Sequence, residues 1–113
     1  MASRKDRLDI VYSERAVKTF ADILEWSTER FGDSVAARYV QGLRQAVRRL
    51  GKYPLSGHPL TPDRPYRYLV FRARGGAKGH IVVYVVALER IEVVALFHTS
   101  QDWRGRIERG ELD

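Results

Sequence analysis

The sequence predicts an α+β fold in which an antiparallel helix hairpin packs on one face of a small, mainly antiparallel sheet. Three observations lead there. Residues 14 to 52 carry apolar side chains at helical spacing in two blocks divided by Gly32. Residues 66 to 98 hold three successive runs rich in β-branched and aromatic residues. A short alternating run, Leu8-Asp9-Ile10-Val11-Tyr12, precedes both. With 113 residues and 44% hydrophobic content the chain can enclose one core without disulfides or metal. One domain over residues 8–103 is expected, with residues 1–7 and 104–113 as flexible or partner-ordered termini.

In the alternating run, Leu8, Ile10 and Tyr12 share a face, as in a short strand that joins the later sheet. Ser13 is a good N-cap, and Val17, Phe20, Leu24 and Phe31 recur at helical spacing until Gly32 stops the helix, which is expected from Glu14 to Phe31. Asp22, Glu25 and Glu29 form an acidic, solubilising stripe beside that face. Asp33-Ser34 is expected to cap a second helix, in which Ala36, Val40, Leu43, Val47 and Leu50 repeat at alternating steps of four and three before Gly51 and Pro54 end it. So short a connection makes the two helices an antiparallel hairpin. Arg38, Gln41, Gln45, Arg48, Arg49 and Lys52 then fall on its basic outer face. All four prolines lie between Pro54 and Pro65, in a long, stiff surface connection.

The strands follow as a meander. The first alternates, with Arg67, Leu69, Phe71 and Ala73 on one face and Tyr68, Val70, Arg72 and Arg74 on the other, which suits a half-exposed strand. From Ile81 to Leu88 the chain is apolar without interruption, the pattern of a central strand covered on both faces. Gly75-Gly76-Ala77-Lys78-Gly79 supplies a permissive hairpin loop before it. Glu89-Arg90 after it predicts a type I turn with a bulge or fraying, because neither residue favours positive φ. The third strand stops at His98. The glycine-interrupted tail beyond Trp103 gives no case for a stable helix.

The net charge of +6 is unevenly spread. Residues 34–80 hold ten Lys or Arg and one Asp, whereas the segments on either side are slightly acidic. Such segregation suits an anionic partner, nucleic acid or an acidic protein segment, beside the plainer reading of a solvated basic face. The chain has no cysteine, no run apolar enough to span a bilayer and no signal-like N-terminus, so a cytoplasmic protein without membrane association is expected. His58, His80 and His98 lack ligand spacing, no serine sits in a strained nucleophile turn, and the glycines precede a strand rather than a helix. No metal, cofactor or covalent nucleophile is therefore expected.

What remains is Arg67 and Arg72 on the first meander strand, His98 closing the last, and Asp102 and Arg104 beyond it. If these converge at one end of the sheet, the arginines would hold phosphate and His98 would move a proton, as RNA cleavage requires. The plainer readings are a hydrogen-bonded strand end for His98, a loop anchor for Arg67 and a lid on the core edge for Trp103.

The order of elements, with Ser13-Glu14-Arg15-Ala16, Leu50-Gly51-Lys52-Tyr53-Pro54, Tyr66-Arg67-Tyr68-Leu69, His80 to Val86, and Leu96-Phe97-His98 with Gln101-Asp102, resembles the ParE/RelE superfamily of type II toxins. The resemblance spans residues 8–103 and implies a small basic toxin of a toxin–antitoxin (plasmid stabilisation) system, held in a hetero-oligomer by a cognate antitoxin. Its branches differ in target. ParE-like toxins poison DNA gyrase and RelE-like toxins cut mRNA on the ribosome. Arg67 and His98 match catalytic positions of the RelE branch, but no tyrosine follows His98 and Lys78 is the only lysine after Lys52. Leu96-Phe97-His98 with Gln101-Asp102 looks more like the ParE branch, which implies a gyrase poison rather than an enzyme. Arg67, Arg72, Asp102 and Arg104 are then candidate target contacts, and a non-toxic nucleic-acid-binding module is a further alternative.

Overall fold

A computed structural model describes residues 7–73, 76 and 78–112. The expected conformation of the Gly75–Gly79 loop and the facing of Arg74 fall partly or wholly outside those residues. Strands β1 (Asp9–Tyr12), β2 (His58–Pro59), β3 (Arg67–Arg72), β4 (Gly79–Val86) and β5 (Arg90–His98) form one sheet in the order β1-β5-β4-β3-β2. The meander is antiparallel, and β1 joins it parallel to β5 with Ile10 opposite Ile91. The two-residue β2 at the far edge was not legible in the sequence; His58 pairs with Tyr68 and Pro59 with Arg67.

Helix α1 runs over Glu14–Phe31 and α2 over Asp33–Arg49, so a single residue joins them. Gly32 sits at φ +86°, donates its N–H to the carbonyl of Thr28 and is also the N-cap residue of α2. Glycine reaches that conformation without the Cβ clash other residues meet. The expected capping of α2 by Asp33-Ser34 does not occur, because the helix already begins at Asp33 and no side chain caps it. The cap of α1 is made as expected, Ser13 Oγ accepting from the N–H of Ala16.

The apolar stripe of α2 is buried as the sequence indicates: Ala36, Val40, Leu43, Val47 and Leu50 all lie in the core. In α1 the buried face is instead Ala16, Phe20, Ile23 and Ser27, while Val17, Leu24 and Phe31 are exposed. The seven-residue repeat of those three is apolar but lies about 100° around the helix from the true core stripe, one residue on in sequence. Only Phe20 belongs to both.

The sheet is covered on both sides. On one, the hairpin packs over Val82, Tyr84, Ile91, Val93 and Leu96. On the other, Ile81, Val83, Ala95 and Phe97 meet Leu60 and Ile107. Ile107 lies on a third helix, α3 (Trp103–Glu108), which corrects the expectation of an irregular tail. Asp102 Oδ1 accepts the N–H of Gly105 at 3.3 Å, capping α3, and the fully buried Ile107 gives it a hydrophobic anchor. Glu111 then pairs with both Arg15 and Arg106, and Leu112 packs on the second core. Strand β4 is third of five, the expected central position, but it ends at Val86 and Leu88 is 93% exposed.

The hairpin turn closes through Ala87 N–H to the carbonyl of Arg90, and no described non-glycine residue has positive φ, so the turn is not of the primed kind. The bulge lies elsewhere. Val83 faces Ala95 and Tyr84 faces Val93, leaving Val94 as the extra residue of β5. The bulge puts Val93 and Leu96 on the same face, and the carbonyl of Val94 accepts the hydroxyl of Ser13, tying the start of α1 to the sheet.

Candidate functional site

His98 and His80 are register partners on β5 and β4, so their imidazoles lie on one face and meet edge-on at 5.3 Å. That face is the one under the helix hairpin. Tyr39 of α2 packs on Phe71 and His80, and its hydroxyl lies 2.6 Å from His80 Nδ1. Burial pushes the Tyr39 phenol up to about 12, so it keeps its proton and donates it. Burial, and secondly the neighbouring His98, holds His80 down at about 4, so its ring is neutral and Nδ1 accepts. His98 Nδ1 lies 2.6 Å from Ser100 Oγ and accepts the Ser100 N–H at 3.1 Å, while the His98 N–H donates to Gln101 Oε1. A cleft of about 510 Å³ opens here, lined by Asp22, Trp26, His80, His98 and Ser100 among others.

Arg67 sits at the other end of the sheet. It pairs with Tyr84, four residues along β4 from His80, a rise of about 13 Å. Its guanidinium donates to the carbonyls of Leu55 and Gly57 at 3.1 and 2.8 Å. The fully buried Tyr84 holds the same loop, donating its hydroxyl to the Pro54 carbonyl at 2.8 Å and accepting the Gly57 N–H at 3.1 Å. Gly57 is required there, since a Cβ would stand 2.5 Å from both the Tyr68 carbonyl and the Tyr84 hydroxyl. Arg67 is thus built into the proline-rich connection.

The other candidates disperse further. Arg72 closes β3 at the histidine end, opposite Gly79, but shares strand parity with Tyr68 and Val70, the face away from the hairpin. Asp102 caps α3 and meets Arg109 at 3.4 Å. Arg104 lies over the rings of Tyr68 and Trp103 at 5.2 and 4.8 Å and donates to the Tyr68 hydroxyl at 3.2 Å. Trp103 itself packs on Tyr68 at the rim of the second core, with centroids 4.9 Å apart. No arginine of the sequence-derived set is hydrogen-bonded to His98, and the expected convergence at one end of the sheet does not occur.

Sequence reasoning missed the Tyr39–His80 pair and the Tyr84 anchor. Tyr39 flanks the Ala36–Val40–Leu43 stripe and His80 has the parity of Val82 and Tyr84, so both were placeable on the core side, but their meeting depends on how α2 crosses the sheet. Among the described residues, no group of three or more His, Asp or Glu is placed to hold a metal ion. No described helix is long and apolar enough to cross a membrane.

Comparison with known proteins bears on the whole of this frame. The family model for the ParE toxin of the type II toxin-antitoxin system parDE matches residues 10–103. Toxin ParE1 of Caulobacter vibrioides is 30% identical over 95 residues, covering 84% of this chain and 93% of that protein. A chain from the solved chromosomal ParDE system of P. aeruginosa shares the fold, with a TM-score of 0.67 at 13% identity over 81% of this chain and 96% of its own. From β1 through the first residue of α3, this chain belongs to the ParE toxin family of type II toxin–antitoxin systems.

Proposed function

We propose that the protein is a growth-arresting toxin that poisons DNA gyrase in the cytoplasm and is neutralised by a cognate antitoxin in a hetero-oligomer. Membership of the ParE family over residues 10–103 carries this reading. The geometry supports a binding mechanism over RNA cleavage: Arg67 is spent on the Leu55 and Gly57 carbonyls, opposite Tyr84, whereas His98 is opposite His80, four residues away along β4. General acid–base cleavage needs a proton carrier and a phosphate clamp within reach of one scissile bond. A poison that traps a protein machine needs only a complementary surface. The uneven charge, with residues 34–80 strongly basic, supports an acidic partner segment.

The test is induction of the toxin alone in cells, with gyrase-linked DNA breaks, the DNA damage response and mRNA integrity followed together. Broken DNA with intact mRNA is the expected result, and rescue by the product of the adjacent reading frame is expected to accompany it. Intact DNA with mRNAs cut inside translated codons would replace this reading with the ribosome-dependent ribonuclease. Normal growth with both intact would overturn toxicity for this chain.

A further inference from the structure

A cavity of about 300 Å³ lies between the helix hairpin and the end of the sheet where β4 begins and β5 stops. That volume is at the lower end of the range for small-molecule sites. Its walls are Trp26, Phe31, Val35 and Tyr39. The rings are held by contacts of their own: Phe31 meets Trp26 edge-on at 6.0 Å, Arg30 lies 4.8 Å over the Trp26 ring, and Tyr39 packs on Phe71 and His80. Trp26, Phe31 and Val35 are nonetheless 48, 57 and 46% exposed, so the fold leaves much of this apolar wall uncovered.

The polar groups that line this apolar space are donors. Ser27 is the one buried polar residue among those described, 5% exposed, and its hydroxyl has no hydrogen-bond partner among them. His80 Nδ1 accepts the Tyr39 hydroxyl and His98 Nδ1 accepts the Ser100 N–H, so each neutral ring carries its proton on Nε2. No described residue accepts from either Nε2. Neither Nε2 is sealed in, because the wholly buried side-chain atoms without a partner among the described residues are Thr61 Oγ1 and Arg67 Nε. Lys78 adds a cation to the lining, and no carboxylate opposes it there, since Asp22 lines only the adjoining cleft.

We propose that this cavity binds a small aromatic carboxylate, with its ring against Trp26, Phe31 and Tyr39 and its carboxylate among the donors of Ser27, His80 and His98, beside Lys78. The site goes beyond the gyrase and antitoxin readings and does not rest on them. The aromatic walls specify a flat, apolar body. An acceptor is specified because the Ser27 hydroxyl and the two Nε2–H groups would each lose water to a wholly apolar occupant and gain nothing in return. A single negative charge is specified by the single lysine. A phosphate dianion would carry charge that nothing in the lining balances, and an ammonium group would find no carboxylate.

The experiment titrates the full-length protein with phenylacetate, and with benzylamine as a cation of similar size, following the indole and imidazole signals by NMR. Phenylacetate should shift the Trp26 indole and the His80 and His98 rings saturably, with a Kd of about 1 mM or tighter. The Trp103 indole, on the other side of the sheet, should stay still. Benzylamine should bind at least about tenfold more weakly. Val35→Trp, at a half-exposed wall position, fills the space and should abolish the saturable shift. Lys78→Glu, at an exposed position, should weaken phenylacetate at least about fivefold and narrow its lead over benzylamine. If the added bulk at Val35 unfolds the hairpin, Lys78→Glu decides alone. Shifts that never saturate, equal binding of benzylamine, or a folded variant of either kind that binds as the parent does overturn the site. So do saturable shifts centred on Trp103, which would move the ligand to the other face.

Discussion

Tyr84→Phe isolates one hydroxyl whose surroundings are fully specified. The ring is completely buried on β4, and its oxygen donates to Pro54 and accepts from Gly57. Phenylalanine fills the same space, so the change removes two hydrogen bonds and leaves a carbonyl and an N–H without that partner. Each such group costs about 1–3 kcal/mol when water cannot reach it. Gly57 is buried and Pro54 only partly so, which puts the total at about 2–3 kcal/mol. For a domain of this size that is a fall in Tm of about 10 °C. Arg67→Met breaks the hydrogen bonds to Leu55 and Gly57 on the same loop, and should cost about 2 kcal/mol because they are charge-assisted. The two anchors act on one segment, so the double variant should lose less than the sum, by about 1 kcal/mol. Urea unfolding of the four proteins, with the Gly57 amide followed by hydrogen exchange, measures all of this. A Tyr84→Phe loss below about 0.5 kcal/mol, or strict additivity with Arg67→Met, would refute the claim that Tyr84 and Arg67 jointly hold residues 54–57.

His98→Ala should leave toxicity within about tenfold of the parent protein when growth arrest is titrated against expression, since a general acid–base group would contribute about 10²- to 10⁴-fold. Stability should fall as pH drops from about 6.5 toward 4, because the unfolded chain takes up a proton that His80, held at about 4, refuses in the fold. The part-exposed ring limits this to about 2 kcal/mol, and His80→Gln should remove that part of the slope in pH-dependent urea melts. A separate loss should follow between pH about 4.5 and 2, where Glu111, held low first by Arg106 and then by Arg15, is protonated. Ile107→Ala, emptying a fully buried site on α3, should cost about 2–4 kcal/mol in the same assay and expose Phe97.

Local chemistry was enough to place the helices, the meander and the central strand. Ser13 and Gly32 bracket α1, the four-three stripe of α2 points at the core, and the unbroken apolar run from Ile81 marks a strand with both faces covered. These signals live within one element, where side-chain period and backbone conformation are read directly from neighbouring residues. The sequence went astray where two apolar stripes competed. On α1, Val17, Leu24 and Phe31 repeat as regularly as Ala16, Phe20, Ile23 and Ser27, and only packing against the sheet chooses between them. The tail misled for a related reason. Trp103 to Glu108 has weak intrinsic helicity, but Asp102 caps it and the second sheet face gives Ile107 somewhere to go.

The candidate residues were each visible as chemistry-bearing side chains, and the family was visible in the order of the motifs. Whether those residues meet is a matter of register and parity. His80 and His98 come together because β4 and β5 pair at those positions, and Arg67 stays apart from His98 because it is opposite Tyr84. Sequence alone determined the two long helices, β1 and the meander strands and the groups they carry, through interactions within a few residues, but not β2 or α3. Tertiary structure decided which groups share a face, an end or an edge, because a one-residue change in register sends a side chain to the other side of the sheet.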